Sequence, residues 1–136
     1  MAHEIGWYRD GRVIVAHFYG NVSVDDIAAA FKFVGPAVEN GTPLVHVITS
    51  LEGVTKFPIQ LKQISQMTGV LHHPSMGWSV MVSDNTFAKY GGSVLTQLAK
   101  ARFRIVNSMD AALAFIAYVD SSLEDLATNA EFVKVG

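Results

Sequence analysis

Segment 44–48 constrains the fold most, because four of its five residues are apolar. A strand with one face in water alternates apolar and polar residues, whereas a strand covered on both faces is apolar at nearly every position. Segment 44–48 is therefore predicted to be the central strand of a sheet with helices on both faces. A polar loop, 49–57, follows, and Pro58 suits the first position of the next helix.

Strand-like and helix-like segments alternate along the rest of the chain. Segments 4–8 and 12–19 are predicted strands, and Asp10-Gly11 between them favours a tight hairpin turn. Both faces of segment 12–19 are largely apolar, which predicts cover on both sides. Two further strands are predicted at 78–82 and 103–106.

Helical spacing of apolar residues and candidate N-caps predict about four helices. Their predicted starts lie at Ser23, at Pro58, at 84–86 and at 107–108. Gly35-Pro36 is expected to kink or interrupt the first helix, and Asn40-Gly41 to end it. The order β-β-α-β-α-β-α-β-α predicts an α/β fold with a mostly parallel five-stranded sheet, an N-terminal β-hairpin and right-handed crossovers.

Composition restricts the class of protein. The 136 residues fit a single domain, 1–136, and no linker or repeat divides them. A net charge of −2 with scattered basic residues gives no cationic field for nucleic acid. No apolar run approaches the roughly 20 residues of a transmembrane helix, and the N-terminus has no secretory pattern. A soluble cytoplasmic protein is expected.

No constellation typical of catalysis or metal binding is present in the sequence. Cysteine is absent, and there is neither a Gly-x-Ser-x-Gly elbow nor a glycine-rich phosphate loop. His17 and His46 lie on strands that are predicted neighbours, but no carboxylate or thiolate follows at metal-site spacing. Hydrogen bonding within the core is the expected role of these histidines, and no enzyme activity, metal or cofactor is predicted.

The loop 49–57 is the candidate binding site. Ligands and partners of a parallel sheet meet the loops at the carboxyl ends of its strands, and this loop follows the central strand. The candidate partner- or ligand-binding residues are Ser50, Glu52, Thr55, Lys56 and Phe57. Helix capping and solvation are the alternative interpretation of the polar residues there.

Segments 15–23 (VAHFYGNVS), 51–54 (LEGV) and 103–116 (FRIVNSMDAALAFI) carry a resemblance to a known family. They resemble the SpoIIAA-like family, relatives of the STAS domain of bacterial anti-sigma-factor antagonists. The resemblance is a pattern of elements over about residues 4–126 rather than a signature motif. It implies a β-α superhelix of four turns and a non-enzymatic regulatory domain that binds a partner protein.

The chain departs from that family at its regulatory serine. Family members carry a phosphorylatable serine in an Asp-Ser-Ser-Gly-Leu-like motif after the central strand, whereas the matching place, 54–59, reads VTKFPI. The phosphorylation switch is therefore not expected here, although Thr55 is open as a substitute acceptor. Segment 120–123 (DSSL) is similar in letters only, because it is predicted to lie in the last helix.

Two further functions and an oligomeric state follow as expectations. The family's likeness to Sec14-type lipid-carrier domains leaves open a carrier of a small apolar or lipid-like ligand, and an enzyme of unknown type is the third alternative. A homodimer is predicted because charged residues are only 16% of the chain and the hairpin is rich in aromatic residues.

Overall fold

The computed structural model describes residues 3–56, 73–83 and 102–126 and the backbone of 133–134. In chain order the strands and helices are β1 (His3–Arg9), β2 (Val13–Phe18), β3 (Gly20–Asn21), α1 (Val24–Asn40), β4 (Val45–Ser50), β5 (Val54–Lys56), β6 (Met76–Val82), β7 (Phe103–Val106), α2 (Met109–Val119), a 3-10 helix (Ser121–Leu123) and β8 (Val133–Lys134).

The main sheet has the strand order β7-β6-β4-β2-β1-β8. Strands β2, β4, β6 and β7 run parallel, while β1 is antiparallel to both β2 and β8. The five predicted strands are adjacent, so the mostly parallel five-stranded sheet is confirmed, and the two-residue β8 extends its edge. Strand β4 lies between β2 and β6, which confirms the central position inferred from its apolar sequence.

Helices cover the sheet on both faces, as strand β2 illustrates. Ile14 and Phe18 pack into a core that includes Val34 and Val38 of α1. Val13 and Val15, which point the other way, pack into a second core with Ile116 of α2 and the strand residues Ile48 and Val80. The two apolar faces predicted for this strand are thus both buried, because each meets its own helix.

Local signals set the hairpin and the start of α1. Gly11 has a φ of 72° in the turn between β1 and β2, a conformation that glycine adopts without strain. Ser23 caps α1 in a reciprocal box with Asp26: the Ser23 hydroxyl accepts the Asp26 N–H at 3.2 Å, and the Asp26 carboxylate accepts the Ser23 N–H at 2.9 Å. The turn at Asp10-Gly11 and the cap at Ser23 were predicted from the sequence and are confirmed.

Of the kink or interruption of α1 expected at Gly35-Pro36, the interruption is wrong. The helix is assigned without a break from Val24 to Asn40, with Pro36 inside it. Proline removes one backbone donor, but Val34 and Val38 on either side are buried against the sheet and hold this turn in the helix. The helix ends at Gly41, as predicted, where the Gly41 N–H bonds the carbonyl of Ala37 at 2.8 Å.

The segment after β4 is more ordered than the single polar loop expected for 49–57. Thr49 and Ser50 complete β4, a turn at Gly53 with a φ of 83° follows, and β5 then pairs in parallel with β3 in a small second sheet. The correction has a local cause, because the Gly20 N–H bonds the carbonyl of Gly53 at 2.9 Å and draws the two segments together.

The end of the chain needs one more correction, whereas the count of four helices stays a prediction. The last predicted helix ends at Val119, after which the chain forms a 3-10 helix rather than continuing as α-helix. The helices predicted to start at Pro58 and at 84–86 lie outside the described residues. Within the described residues there are two α-helices. No helix in the part of the chain that the structure describes is long and apolar enough to cross a membrane.

Candidate functional site

The structure divides the candidate residues of the loop 49–57. Ser50 is buried at the end of β4, and its hydroxyl accepts the N–H of Glu52 at 3.4 Å. Glu52, Thr55 and Lys56 are exposed, the last two on β5, whereas Phe57 lies outside the described residues. The three exposed residues lie beyond the carboxyl ends of β2 and β4, as the sequence predicted, and their role in binding stays a prediction.

A cleft of about 430 Å³ lies at the opposite edge of the sheet, near the amino ends of the parallel strands. Its volume falls in the range of small-molecule sites. The residues lining it come from the starts of β2, β4, β6 and β7 and from the segment after α2: Arg12, Pro43, Leu44, His46, Trp78, Arg102, Val119, Asp120, Ser121 and Ser122.

The Asp120 carboxylate is the centre of the polar contacts in this cleft. Its Oδ2 accepts hydrogen bonds from Arg12 Nη2 and from His46 Nε2, each at 2.8 Å. Its Oδ1 accepts the backbone N–H of Ser122 at 3.1 Å and the Ser122 hydroxyl at 2.5 Å. One side chain thus ties the segment after α2 to β4 and to the residue that precedes β2.

His46 has a fixed tautomer and no free ring nitrogen. The backbone N–H of Trp78 donates to His46 Nδ1 at 2.9 Å, so Nδ1 carries no proton and Nε2–H donates to Asp120. Burial lowers the pKa of this imidazole below its ordinary value of 6.5; the Asp120 hydrogen bond and charge oppose that effect, and the charges of Arg12 and Arg102 add to it. His46 is therefore neutral at pH 7, and its expected role as a hydrogen-bonded core histidine is confirmed.

The Asp120 carboxyl is ionised across the physiological range. Desolvation in the cleft favours its neutral form, but the hydrogen bonds from His46 and Ser122 and the charge of Arg12 outweigh desolvation and lower its pKa from 3.8 to about 2. The carboxylate accepts four hydrogen bonds in all, which fills its capacity as an acceptor.

Gly77 makes room for the His46 ring. A Cβ built at Gly77 would overlap both Nδ1 and Cε1 of His46 and would lie 3.1 Å from the Cβ of Leu44. The neighbouring Trp78 therefore brings its N–H up to the imidazole only because the preceding residue has no side chain.

The two arginines of the cleft differ in how they are bound. Arg12 donates through Nε to the carbonyl of Leu44 at 3.2 Å as well as to Asp120, and its side chain is largely buried. Arg102 is exposed, and its guanidinium has no hydrogen-bond or ion-pair partner within the described ranges. The backbone of Arg102 is held in place, since its carbonyl accepts the Ser79 N–H at 2.8 Å.

These contacts decide what chemistry the cleft can perform. A general base needs a ring nitrogen that reaches the reacting group, but His46 is 1% exposed and both of its nitrogens are bonded. The Ser122 hydroxyl donates to the Asp120 carboxylate, but a carboxylate whose pKa is about 2 is a weak base for activating a nucleophile at pH 7. No group of three or more His, Asp or Glu residues close enough to hold a metal ion is found in the ranges 3–56, 73–83 and 102–126.

Sequence reasoning missed this cleft, although two signals were readable. An aspartate followed by two serines is typical of a helical N-cap rather than of a helix interior, and Asp120 does cap the 3-10 helix. An arginine directly before a strand occurs twice, at Arg12 and Arg102.

The chain has no match among family models, among curated proteins or among solved structures.

Proposed function

We propose that this chain is a non-enzymatic binding domain of regulatory type, and that it binds its ligand or partner in the cleft beside Asp120. The observation that carries the proposal is a difference among the polar groups of the cleft in how they are hydrogen-bonded. The His46 ring and the Asp120 carboxylate are engaged in hydrogen bonds within the fold, whereas Arg102 faces the same cleft with no partner among the described residues. A site built in this way is suited to binding, because its imidazole is bonded at both nitrogens and its carboxylate is a weak base.

The resemblance to the SpoIIAA-like family supports the same class of function. The mostly parallel sheet with its N-terminal hairpin fits that family's pattern, and the four-turn superhelix and the regulatory role remain proposals that rest on the resemblance. Thr55 is exposed on β5, so an acceptor for modification there stays open. Binding at the cleft does not depend on it.

The homodimer is proposed from fewer exposed aromatic residues than the sequence suggested. Phe18 of the hairpin is buried, and Trp7 packs edge-to-face against Phe33 at 6.2 Å, so these aromatic residues serve the core. Tyr19 remains exposed, and Tyr118 on α2 is 88% exposed. Sedimentation at micromolar concentration tests the dimer, and a monomer there would refute it.

An NMR screen tests the proposed function. Uniformly 15N-labelled protein is titrated with a library of anionic, neutral and apolar small molecules, and each ligand is recovered afterwards to check that it is unchanged. We expect ligands that shift the amide resonances of residues 44–46, 77–78 and 119–122 and are recovered intact.

Three outcomes would overturn this proposal. Library members that shift only the resonances of 50–56 would move the site to the opposite edge of the sheet. Turnover of a bound ligand that disappears in a Ser122→Ala variant would make the chain an enzyme. A fatty molecule that co-purifies and is seen by native mass spectrometry, with no ligand in the cleft, would favour the apolar carrier.

A further inference from the structure

Among the described residues that line it, the cleft carries an excess of positive charge, in contrast to the negative net charge of the chain. Arg12 and Arg102 are cationic, Asp120 is ionised and His46 is neutral, so two positive charges face one negative charge. The whole chain has a net charge of −2. The excess at the cleft is therefore local, and it attracts an anion against the overall charge of the protein.

Asp120 is the carboxylate among the described residues that line the cleft, and it has no acceptor capacity left for Arg102. Its four acceptor positions are taken by Arg12, His46 and the two donors of Ser122. Arg102 has neither an ion pair nor a hydrogen bond to its side chain within the described residues. A guanidinium presents five N–H donors in a plane that matches the two oxygens of a carboxylate or of a phosphate.

Four of the described residues that line the cleft are apolar. Pro43, Leu44, Trp78 and Val119 lie in its lining beside the two arginines. The Trp78 ring packs edge-to-face against the Phe115 ring, with ring centres 4.9 Å apart. The Arg104 guanidinium lies over the Phe115 ring, 4.8 Å from its centre. This part of the lining is thus ordered before any ligand arrives, which lowers the entropic cost of binding.

We infer that the cleft binds a small organic anion, whose carboxylate or phosphate group pairs with Arg102, a cation without a partner among the described residues, while its apolar body lies against Pro43, Leu44 and Trp78. This inference rests on the proposed function and specifies the chemical class of the ligand. The Arg12 donors that are not used by Asp120 and Leu44 add to the field at the oxyanion. The exposed Ser121 provides a hydroxyl at the rim.

Paired probes test the charge requirement. Benzoate and benzamide have the same ring and nearly the same shape, and only benzoate is charged at pH 7. We expect benzoate to shift the amide resonances of residues 44–46 and 119–122 and to bind at least tenfold more tightly than benzamide. Phenyl phosphate compared with inorganic phosphate then tells whether a phosphate is preferred to a carboxylate and whether the apolar body contributes.

Two variants and a control assign the effect to Arg102. Arg102→Gln removes the charge and should weaken benzoate binding at least tenfold, whereas Arg102→Lys should keep part of the affinity. Lys32→Gln makes the same change of net charge on the exposed side of α1, which packs on the other face of the sheet, and should leave the affinity unchanged. The 15N spectrum of each variant shows whether it is folded.

The results that would overturn the anion inference differ from the result that would overturn the proposed function. Equal affinity for benzoate and benzamide in the cleft, or unchanged benzoate affinity in Arg102→Gln, would overturn the anion inference and leave the cleft as a binding site. Failure of all four probes to shift cleft resonances would also overturn the anion inference. The proposed function falls in addition only if no member of the wider library binds there. Since the comparison of benzoate with benzamide uses the unmodified chain, it decides the inference even if Arg102→Gln does not fold.

Discussion

Replacing Asp120 with asparagine should destabilise the domain, because the amide NH₂ would face other hydrogen-bond donors. The carboxylate accepts from Arg12 and His46 on one oxygen and from Ser122 on the other. Asparagine has nearly the same shape but only one acceptor oxygen, so its amide NH₂ must face either the pair Arg12 and His46 or the two donors of Ser122. In either orientation donors meet donors, and hydrogen bonds are lost in a partly buried place.

The lowered pKa of Asp120 gives the size of its contribution to the free energy of unfolding. The carboxyl titrates at about 2 in the folded chain against 3.8 ordinarily, and one pKa unit corresponds to about 1.4 kcal/mol. The Asp120 side chain is 16% exposed and lies in an open cleft, so solvent screens these contacts in part and reduces what the full shift would contribute. The ionised carboxylate therefore stabilises the fold by roughly 2 kcal/mol relative to its protonated form.

The sign of the pH dependence follows from the direction of this shift. A carboxyl whose folded pKa is depressed contributes its stability above the unfolded value of 3.8 and loses it as the pH falls towards 2. The lowered pKa of His46 acts at higher pH: its contribution is complete above 6.5 and is lost as the pH falls through the folded pKa. The comparison of Asp120→Asn with the unmodified chain isolates the Asp120 effect at the acid end.

Urea unfolding followed by the fluorescence of Trp7 and Trp78 measures both effects. At pH 7 we expect Asp120→Asn to lower the free energy of unfolding by roughly 2 kcal/mol, and at pH 3 we expect the gap to narrow by about 1 kcal/mol. Asp110→Asn is the matched control, because Asp110 is exposed in the first turn of the same helix, and it should cost only about 0.5 kcal/mol. A loss below 0.5 kcal/mol for Asp120→Asn at pH 7, or a gap that does not change with pH, would refute the reasoning.

Three further substitutions test other parts of the fold. Gly77→Ala should cost about 2 kcal/mol or more in urea unfolding, because the new methyl group displaces the His46 ring; a neutral result would contradict the packing described. Ser23→Ala should cost about 1 kcal/mol by removing the cap that bonds Asp26, and an unchanged midpoint would mean that the capping box is not needed. Val47→Asp should abolish cooperative unfolding as seen by circular dichroism, since an unpaired buried charge costs several kcal/mol; a folded variant would show that β4 is not central.

The parts of the fold that were predictable from sequence depend on neighbours in the chain. The turn at Asp10-Gly11, the cap at Ser23 and the two apolar faces of β2 each follow from residues within a few positions of one another, and each is confirmed. The interruption expected at Pro36 was wrong because burial on both sides of the proline, which is a tertiary effect, outweighed one missing donor. The turn into β5 was missed because its partner strand β3 lies more than thirty residues earlier.

The cleft was not predictable by the same means, because its contacts are long-range. The residues that meet at Asp120 are 108 positions away in the case of Arg12 and 74 in the case of His46. Periodicity and caps carry no information about such pairs, and the general rule for parallel sheets directed attention to the carboxyl edge instead. The strand order was needed to see that Arg12 and Arg102 approach one cleft.

The position of Asp120 at the end of α2 shows which contacts keep its carboxyl ionised. A carboxylate at a helix C-terminus faces the negative end of the helix dipole, and α2 has no basic residue in its last turn to offset it. The helix alone therefore disfavours the ionised form, so the low pKa of Asp120 arises from contacts outside α2, with His46, Ser122 and Arg12. Asp120 offsets the charge of Arg12, so the charge of Arg102 is in excess among the described residues of the cleft. In the proposed binding mode one residue joins the elements of the fold while a different one meets the ligand, so we expect stability and binding to be separable by substitution.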